Sequence, residues 1–321
     1  MPLRLAVFGQ APFGRDVALR LAEAGHVIVG VHVPPDGGAR PDPLAEAAIE
    51  RGWPLFRAKA YRRGGRAIAE RVEAYRALGA ELNVLPFTTV ILPPEITAFP
   101  RHGSVCFHPS LLPAYRGGSA LAWQIIEGER ESGISVFRPD EGVDTGPLYL
   151  QRRGVAIEPS DTAASLYFDK LYPLGVEAMV EAVAAIADGT ARLTPQAEAG
   201  ASFQPLLDDA GARLDFAQSA EALDRRIRGC DPQPGAWARL GDEVVRLFGC
   251  RLEPVPDPAG PERMERGDGA DGTVPGTVLA VDADGLLLAA RDGRLRIAKV
   301  RRGEAKRPAH ASGLRPGDRL V

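Results

Sequence analysis

Leu3-Arg4-Leu5-Ala6-Val7-Phe8, the turn Gly9-Gln10-Ala11-Pro12, the helix-spaced run Phe13 to Ala24 and then Val27-Ile28-Val29-Gly30-Val31-His32-Val33 form the stretch that decides the fold. An apolar run, a glycine turn, an amphipathic segment and a second β-branched run read as strand, helix, strand, and two strands joined this way lie parallel. Working outward, Pro43 to Arg51 and about Gly65 to Gly79 read as helices, Leu82 to Leu85 and Ser104 to Phe107 as buried strands. Ile134 to Phe137 alternates as a further strand, and Thr162 to Ala187 reads as one long helix. The result is an α/β fold, a Rossmann-like open, mostly parallel sheet. Ligands of such sheets settle beyond the carboxyl ends of the strands, so the residues after Leu85 and after Phe107 are the first places to search.

From about Gly200 the texture changes. One helix, Ala220 to Arg228, is followed by short β-rich segments, Val244 to Cys250, Gly276 to Val281 and Leu286 to Ala290, broken by Pro and Gly. This predicts a smaller C-terminal β-barrel (OB-like) domain, with Pro254 to Gly272 as a loop inside it. A chain of 321 residues has room for two domains, expected at 1–200 and 201–321. The hydrophobic share of 45% and charged share of 25% exclude a disordered chain, and a net charge of −3 gives no global attraction to nucleic acid or anionic membrane. No export signal opens the sequence and no apolar run is long enough to span a bilayer. Cys106, Cys230 and Cys250 are odd in number and lack metal-ligand spacing. A reduced, cytoplasmic protein without a metal is expected.

Three features bear on chemistry. Gly9 and Gly14 follow the first strand without the G-x-G-x-x-G spacing, so they read as a tight strand-to-helix turn or a nucleotide site. His108-Pro109-Ser110-Leu111-Leu112-Pro113-Ala114-Tyr115-Arg116-Gly117-Gly118 puts an imidazole at a strand end, on a loop stiffened by two prolines. Asp140-Glu141-Gly142-Val143-Asp144-Thr145-Gly146-Pro147 is an acidic, glycine-rich loop after another strand. A histidine beside a carboxylate is the minimal kit for orienting an imidazole and stabilising its protonated form. Taken singly, each loop also fits a structural turn.

With these motifs the chain resembles the formyltransferase family that uses 10-formyltetrahydrofolate. The resemblance rests on the His-Pro-Ser-Leu-Leu-Pro loop with Arg116-Gly117-Gly118, the Asp-Glu-Gly-Val-Asp-Thr-Gly loop, and the strand end Asn83-Val84-Leu85-Pro86-Phe87. It runs through nearly the whole chain. Within the family, Tyr75 to Phe87 and Pro100 to Ser104 are most like the hydrolase domain of 10-formyltetrahydrofolate dehydrogenase, and the C-terminal region also resembles that of methionyl-tRNA formyltransferases. The resemblance implies the formyltransferase fold, 10-formyltetrahydrofolate (tetrahydrofolate) as the bound small molecule, and His108 and Asp144 as catalytic. It implies a pterin against main chain at Leu85, Pro86, Phe87 and Thr88 and at Pro139, Asp140, Glu141 and Gly142. Ser110, Leu112, Pro113, Arg116, Gly117 and Gly118 would shape the loop, with a cis peptide at Leu112–Pro113.

One departure concerns the reaction. Many members carry Asn two residues before the catalytic histidine, where its amide donates to the developing oxyanion; this chain has Cys106, a weak donor. Cys106 reads as a small buried strand residue or as a further catalytic group. The formyl acceptor is open among water, an amine and a carrier thiol. Transfer to methionyl-tRNA draws on the ten Lys or Arg between Arg291 and Arg319, against three acids. Against it, the segment Pro34 to Asp42 is short and holds only Arg40, where tRNA-modifying members carry a longer basic insertion. An N-formyltransferase acting on a small amine and a folate-binding module without turnover complete the alternatives.

Overall fold

The computed structural model describes residues 1–37, 41–254 and 272–321. Arg40 and the loop expected between Pro254 and Gly272, apart from its two ends, lie outside the described residues. The chain divides into two compact units. One comprises Met1–Gly117, Gly133–Val155 and Lys170–Phe203, the other Gly118–Ser132, Ala156–Asp169 and Gln204–Val321.

The first unit is built on β1 (Arg4–Phe8), α1 (Ala11–Glu23), β2 (Val27–Val33), α2 (Pro43–Glu50) and β3 (Leu55–Arg57), with a two-residue hairpin, β4 (Arg62–Arg63) and β5 (Arg66–Ala67), before α3 (Ala69–Arg76). The helix expected from Gly65 begins later because Gly64 and Gly65 take the positive φ of a tight hairpin turn. Next come β6 (Leu82–Leu85), α4 (Pro94–Thr97), β7 (Ser104–His108), β8 (Glu131–Phe137) and β9 (Leu148–Ala156). The sheet order is β3-β2-β1-β6-β7-β8-β9. Pairings from β3 through β7 are parallel, whereas β7 and β8 are antiparallel. Register sets Leu85 and Phe137 on either side of Cys106. Because β8 runs against β7, the acidic loop leaves from the far end of the sheet and must fold back to reach the end of β7.

Two buried clusters show how the first unit is held. Asn83 donates to Ile96 O (2.8 Å) and Ser104 Oγ (3.1 Å) and accepts from the Tyr75 hydroxyl (2.8 Å), so the landmark asparagine is a structural hub. Gly9 faces Pro86 Cγ, which a Cβ would meet at 3.0 Å, and Gly14 faces Leu44; the first glycine turn packs strand ends and helices together.

The helix expected over Thr162 to Ala187 is interrupted. Its first turn, α6 (Ala163–Ser165), passes into a wider π turn over Leu166–Leu171 before α7 (Tyr172–Asp188). Pro173 explains the break, since it has no N–H to give and its ring clashes with the carbonyl four residues back.

In the second unit, α5 (Ala120–Glu127) and α8 (Ala220–Gly229) accompany an antiparallel sheet of β10 (Ala236–Leu240), β11 (Glu243–Glu253), β12 (Val278–Asp282), β13 (Gly285–Ala289), β14 (Arg294–Arg302) and β15 (Ala305–Pro308). The order is β10-β11-β14-β13-β12, with β15 on β14. The last residues bridge its two ends: Val278 N donates to Asp318 O (2.8 Å), Leu320 N to Gly276 O (2.9 Å), and Arg239 and Val321 exchange bonds of 2.7 and 2.9 Å. This bridging gives the expected barrel-like closure. β14 has no clear strand signature in the sequence, because its core residues Leu295, Ile297 and Val300 are spaced two and then three residues apart among arginines.

His32 offers a test of the first unit's packing. Its ring lies between Phe8 (4.1 Å) and Phe56 (4.7 Å), Nδ1 meets the Tyr61 hydroxyl at 2.7 Å, and Nε2 has no partner. Burial pushes the imidazole down from 6.5 to about 3. Between those values the unfolded chain binds the proton and the folded one does not. Stability is therefore full above pH 6.5 and falls as pH drops, by up to about 1.4 kcal/mol per unit. Urea unfolding of His32→Phe should show a shallower acid slope than the parent over that interval; equal slopes would contradict the burial.

Candidate active site

His108 ends β7 and is 6% exposed. Nε2 lies 2.8 Å from Tyr115 O, and since a carbonyl only accepts, Nε2 carries the proton. Nδ1 faces Asp144 Oδ2 at 3.5 Å. The same carboxylate oxygen accepts from Gly117 N at 2.8 Å, so one loop's backbone holds the other loop's acid. The Asp144 side chain keeps 20% of its surface open.

Both contacts rest on unusual backbone. Tyr115 (φ 60°) and Asp144 (φ 55°) occupy the left-handed region, at a cost of about 1–3 kcal/mol each that the surrounding bonds must offset. In the His108 loop, Ser135 does much of this. Its hydroxyl donates to Ser110 O (2.7 Å) and accepts from Leu112 N (3.0 Å) and Gln151 Nε2 (2.9 Å), while Gln151 also donates to Leu112 O (2.7 Å). Ser110 Oγ closes the turn on Ala114 O at 2.7 Å, and the Leu112–Pro113 peptide is cis. Gly118, at the loop's end, faces the Leu206 side chain, which a Cβ would meet at 2.6 Å.

In the acidic loop, Asp140 Oδ1 accepts from Gly142 N (3.0 Å) and Thr145 Oγ1 (2.6 Å). Gly146 is obligatory, because a Cβ there would sit 1.8 Å from Arg138 O. Glu141 and Val143 are exposed, and Pro139 is half-buried.

The segment after β6 is divided. Leu85 and Pro86 are buried, the Phe87 ring is 42% exposed, and the Thr88 hydroxyl donates to Phe8 O.

The Cys106 thiol lies beside Phe107 O (3.7 Å). Burial, reinforced by the Asp144 charge, pushes it well above the usual thiol range. Both effects disfavour the thiolate that a nucleophilic role would need.

The motifs pointed to the His108 and Asp144 loops but not to their braces. Ser135 and Gln151 sit inside strands, and Gln196 and Ser202 lie in the stretch read as a domain boundary. Ser202 Oγ accepts from Tyr115 N (2.8 Å), Ser202 O accepts from Arg116 N (3.0 Å), and Gln196 Oε1 accepts from Arg116 Nη2 (2.9 Å). No local sequence signal marks these residues. Among the described residues, no three His, Cys, Asp or Glu side chains gather as a metal-binding group, and no helix is long and apolar enough to cross a membrane.

Residues 3–183 match the formyl transferase family and residues 207–315 match the formyl transferase C-terminal domain. The chain belongs to the formyl transferase family. It is 44% identical over 292 residues to mouse mitochondrial 10-formyltetrahydrofolate dehydrogenase, covering 91% of this chain but only 31% of that protein. It is 35% identical to methionyl-tRNA formyltransferase of Bradyrhizobium diazoefficiens, covering 96% and 95% of the two chains. In fold it is similar to HypX from Aquifex aeolicus, solved with tetrahydrofolic acid, with a TM-score of 0.67, 21% identity, and coverage of all of this chain and 51% of that one.

The thiols give a chemical test. Burial pushes Cys230 up to about 12 and raises Cys250 further above its ordinary value. A thiol-reactive dye at mildly alkaline pH should leave all three cysteines of the native chain essentially unlabelled over a time that labels all three in urea. Rapid labelling of native Cys106 would overturn its assignment as a protonated thiol.

Proposed function

We propose that the chain releases the formyl group of 10-formyltetrahydrofolate, with water as the acceptor, at the His108–Asp144 pair. The observation that carries this reading is the pair itself, a buried imidazole anchored at Nε2 with Nδ1 beside a partly open carboxylate. The pterin would lie against the main chain of Leu85, Pro86, Phe87 and Thr88 and of Pro139, Asp140, Glu141 and Gly142. The exposed apolar faces of Phe87 and Val143 suit a flat ring, and the bonds within the acidic loop fix its shape before a ligand arrives.

With the formyl carbonyl presented to Nδ1, water adds to the carbonyl carbon and the π electrons move to oxygen. The imidazolium donates to that oxyanion, while Asp144 receives the proton lost by the water. Collapse breaks the carbon–N10 bond as N10 takes the proton held by Asp144, and tetrahydrofolate leaves with formic acid, which loses its remaining proton to solvent as formate. Fixing donor and acid on braced loops replaces a bimolecular encounter by set geometry. Cys106 offers only a weak donor beside this centre, so oxyanion stabilisation falls mainly to His108. The dehydrogenase relative, matched over 91% of this chain, supports 10-formyltetrahydrofolate as the donor, and water as the acceptor rests on the resemblance to the hydrolase domain.

A second reading, formyl transfer to methionyl-tRNA, is favoured by the end-to-end match to such an enzyme. The barrel's charges weigh against it. Arg296 pairs with Glu253 and Asp282, Arg302 with Glu243, and Lys306 with Asp231, so these three of the run's ten cations are engaged by acids within the domain.

Incubation with 10-formyltetrahydrofolate alone should release formate and tetrahydrofolate in equal amounts. His108→Ala and Asp144→Asn should lower kcat on the order of 10²–10⁴-fold. Turnover only on addition of charged initiator tRNA would reverse the order of the two readings, and binding without any turnover would remove both.

A further inference from the structure

Gln196 lies outside every motif, yet its amide touches both loops of the site. Its Nε2 donates to Asp144 O at 2.8 Å and to Gly146 O at 2.7 Å. Its Oε1 accepts from Arg116 Nη2 at 2.9 Å and Nε at 3.3 Å. Both amide hydrogens and the amide oxygen are therefore committed. The orientation is fixed too: a flipped amide would set its oxygen against two carbonyls and its NH2 against a guanidinium. The Arg116 charge on Oε1 polarises the amide and strengthens its two donated bonds.

The backbone delivers Gln196 to this position. Two residues earlier, Thr194 and Leu148 exchange hydrogen bonds of 2.9 and 2.8 Å, which lays the segment beside the start of β9. Six residues later, Ser202 accepts from Tyr115 N and Arg116 N. Gln196 thus joins the acidic loop on one side to the His108 loop on the other. The residue it holds is Asp144, whose left-handed backbone needs outside support.

We infer that Gln196 is a positioning residue for the formyl-cleaving centre: by holding the main chain at Asp144 and Gly146 against Arg116, it sets the carboxylate at its distance from the His108 imidazole. The inference rests on the role proposed above for the His108–Asp144 pair. Gln196 touches neither the imidazole nor the carboxylate group, so its effect is on geometry. Loss of the clasp frees Asp144 to relax its backbone and swing the carboxylate away, while the segments proposed for pterin contact, Leu85 to Thr88 and Pro139 to Gly142, accept no bond from Gln196.

Two variants and two readouts test this. Gln196→Met keeps the length and removes every polar contact. Gln196→Glu keeps an acceptor for Arg116 but turns oxygen toward the two carbonyls. Both should lower kcat for formate release about 10- to 100-fold, as a displacement near 1 Å does, with KM for 10-formyltetrahydrofolate changed less than about threefold. The second readout needs no turnover. In ¹⁵N-histidine spectra, Nδ1 of His108 should move in both variants from its parent position toward that of Asp144→Asn. If the parent releases no formate but the Nδ1 signal moves as described, the functional reading fails and the positioning role stands. An unchanged kcat in an active parent, or an Nδ1 signal that stays at the parent position in both variants, overturns the inference.

Discussion

A carboxylate from one loop and an imidazole from another stay together only if the two loops are tied, and here the Gly117 N–H bond to Asp144 Oδ2 is the tie made directly to the carboxylate. The bond ties the acid to the loop that begins with His108, so the distance between the two functional groups is set within one local frame. Tyr115 O fixes the ring from its other side. Two residues in left-handed backbone, Tyr115 and Asp144, are the cost of this arrangement. Hydrogen bonds from Ser135, Gln151, Gln196 and Ser202 offset it. Strain concentrated at two residues and relieved by a shell of polar contacts is the pattern of a site organised before its substrate arrives.

The sheet explains why the two loops meet at all. β6 and β7 run parallel, so Leu85 and His108 end on the same side, where ligands of open α/β sheets gather. The antiparallel β8 starts its following loop at the opposite end. The acidic loop has to turn sharply, and Gly146, pressed against Arg138 O, is where no side chain fits. The glycines of this loop therefore serve its path, and Asp144 is what the path delivers.

Much of this was legible in the sequence, and the reasons are particular. β2 and β6 were read to the residue because continuous β-branched or apolar runs bounded by turns leave little choice. His108 and Asp144 stood out because their loops carry Pro and Gly at spacings a plain turn does not need. Gln196 and Ser202 were invisible, since a single polar side chain bracing a distant loop leaves no periodic trace. The π turn before α7 follows from Pro173, yet the apolar spacing on both sides still reads as one helix. β14 reads as a basic patch because its buried residues, Leu295, Ile297 and Val300, are irregularly spaced among its cations.

The most direct measurement is a crystal structure with a stable, non-transferable analogue of 10-formyltetrahydrofolate. The analogue's carbonyl oxygen should lie about 3 Å from His108 Nδ1, within hydrogen-bond range, with Asp144 beside it and the pterin on the main chain of Leu85 to Thr88 and Pro139 to Gly142. An analogue bound with its carbonyl out of reach of His108, or seated away from these two segments, would contradict this placement.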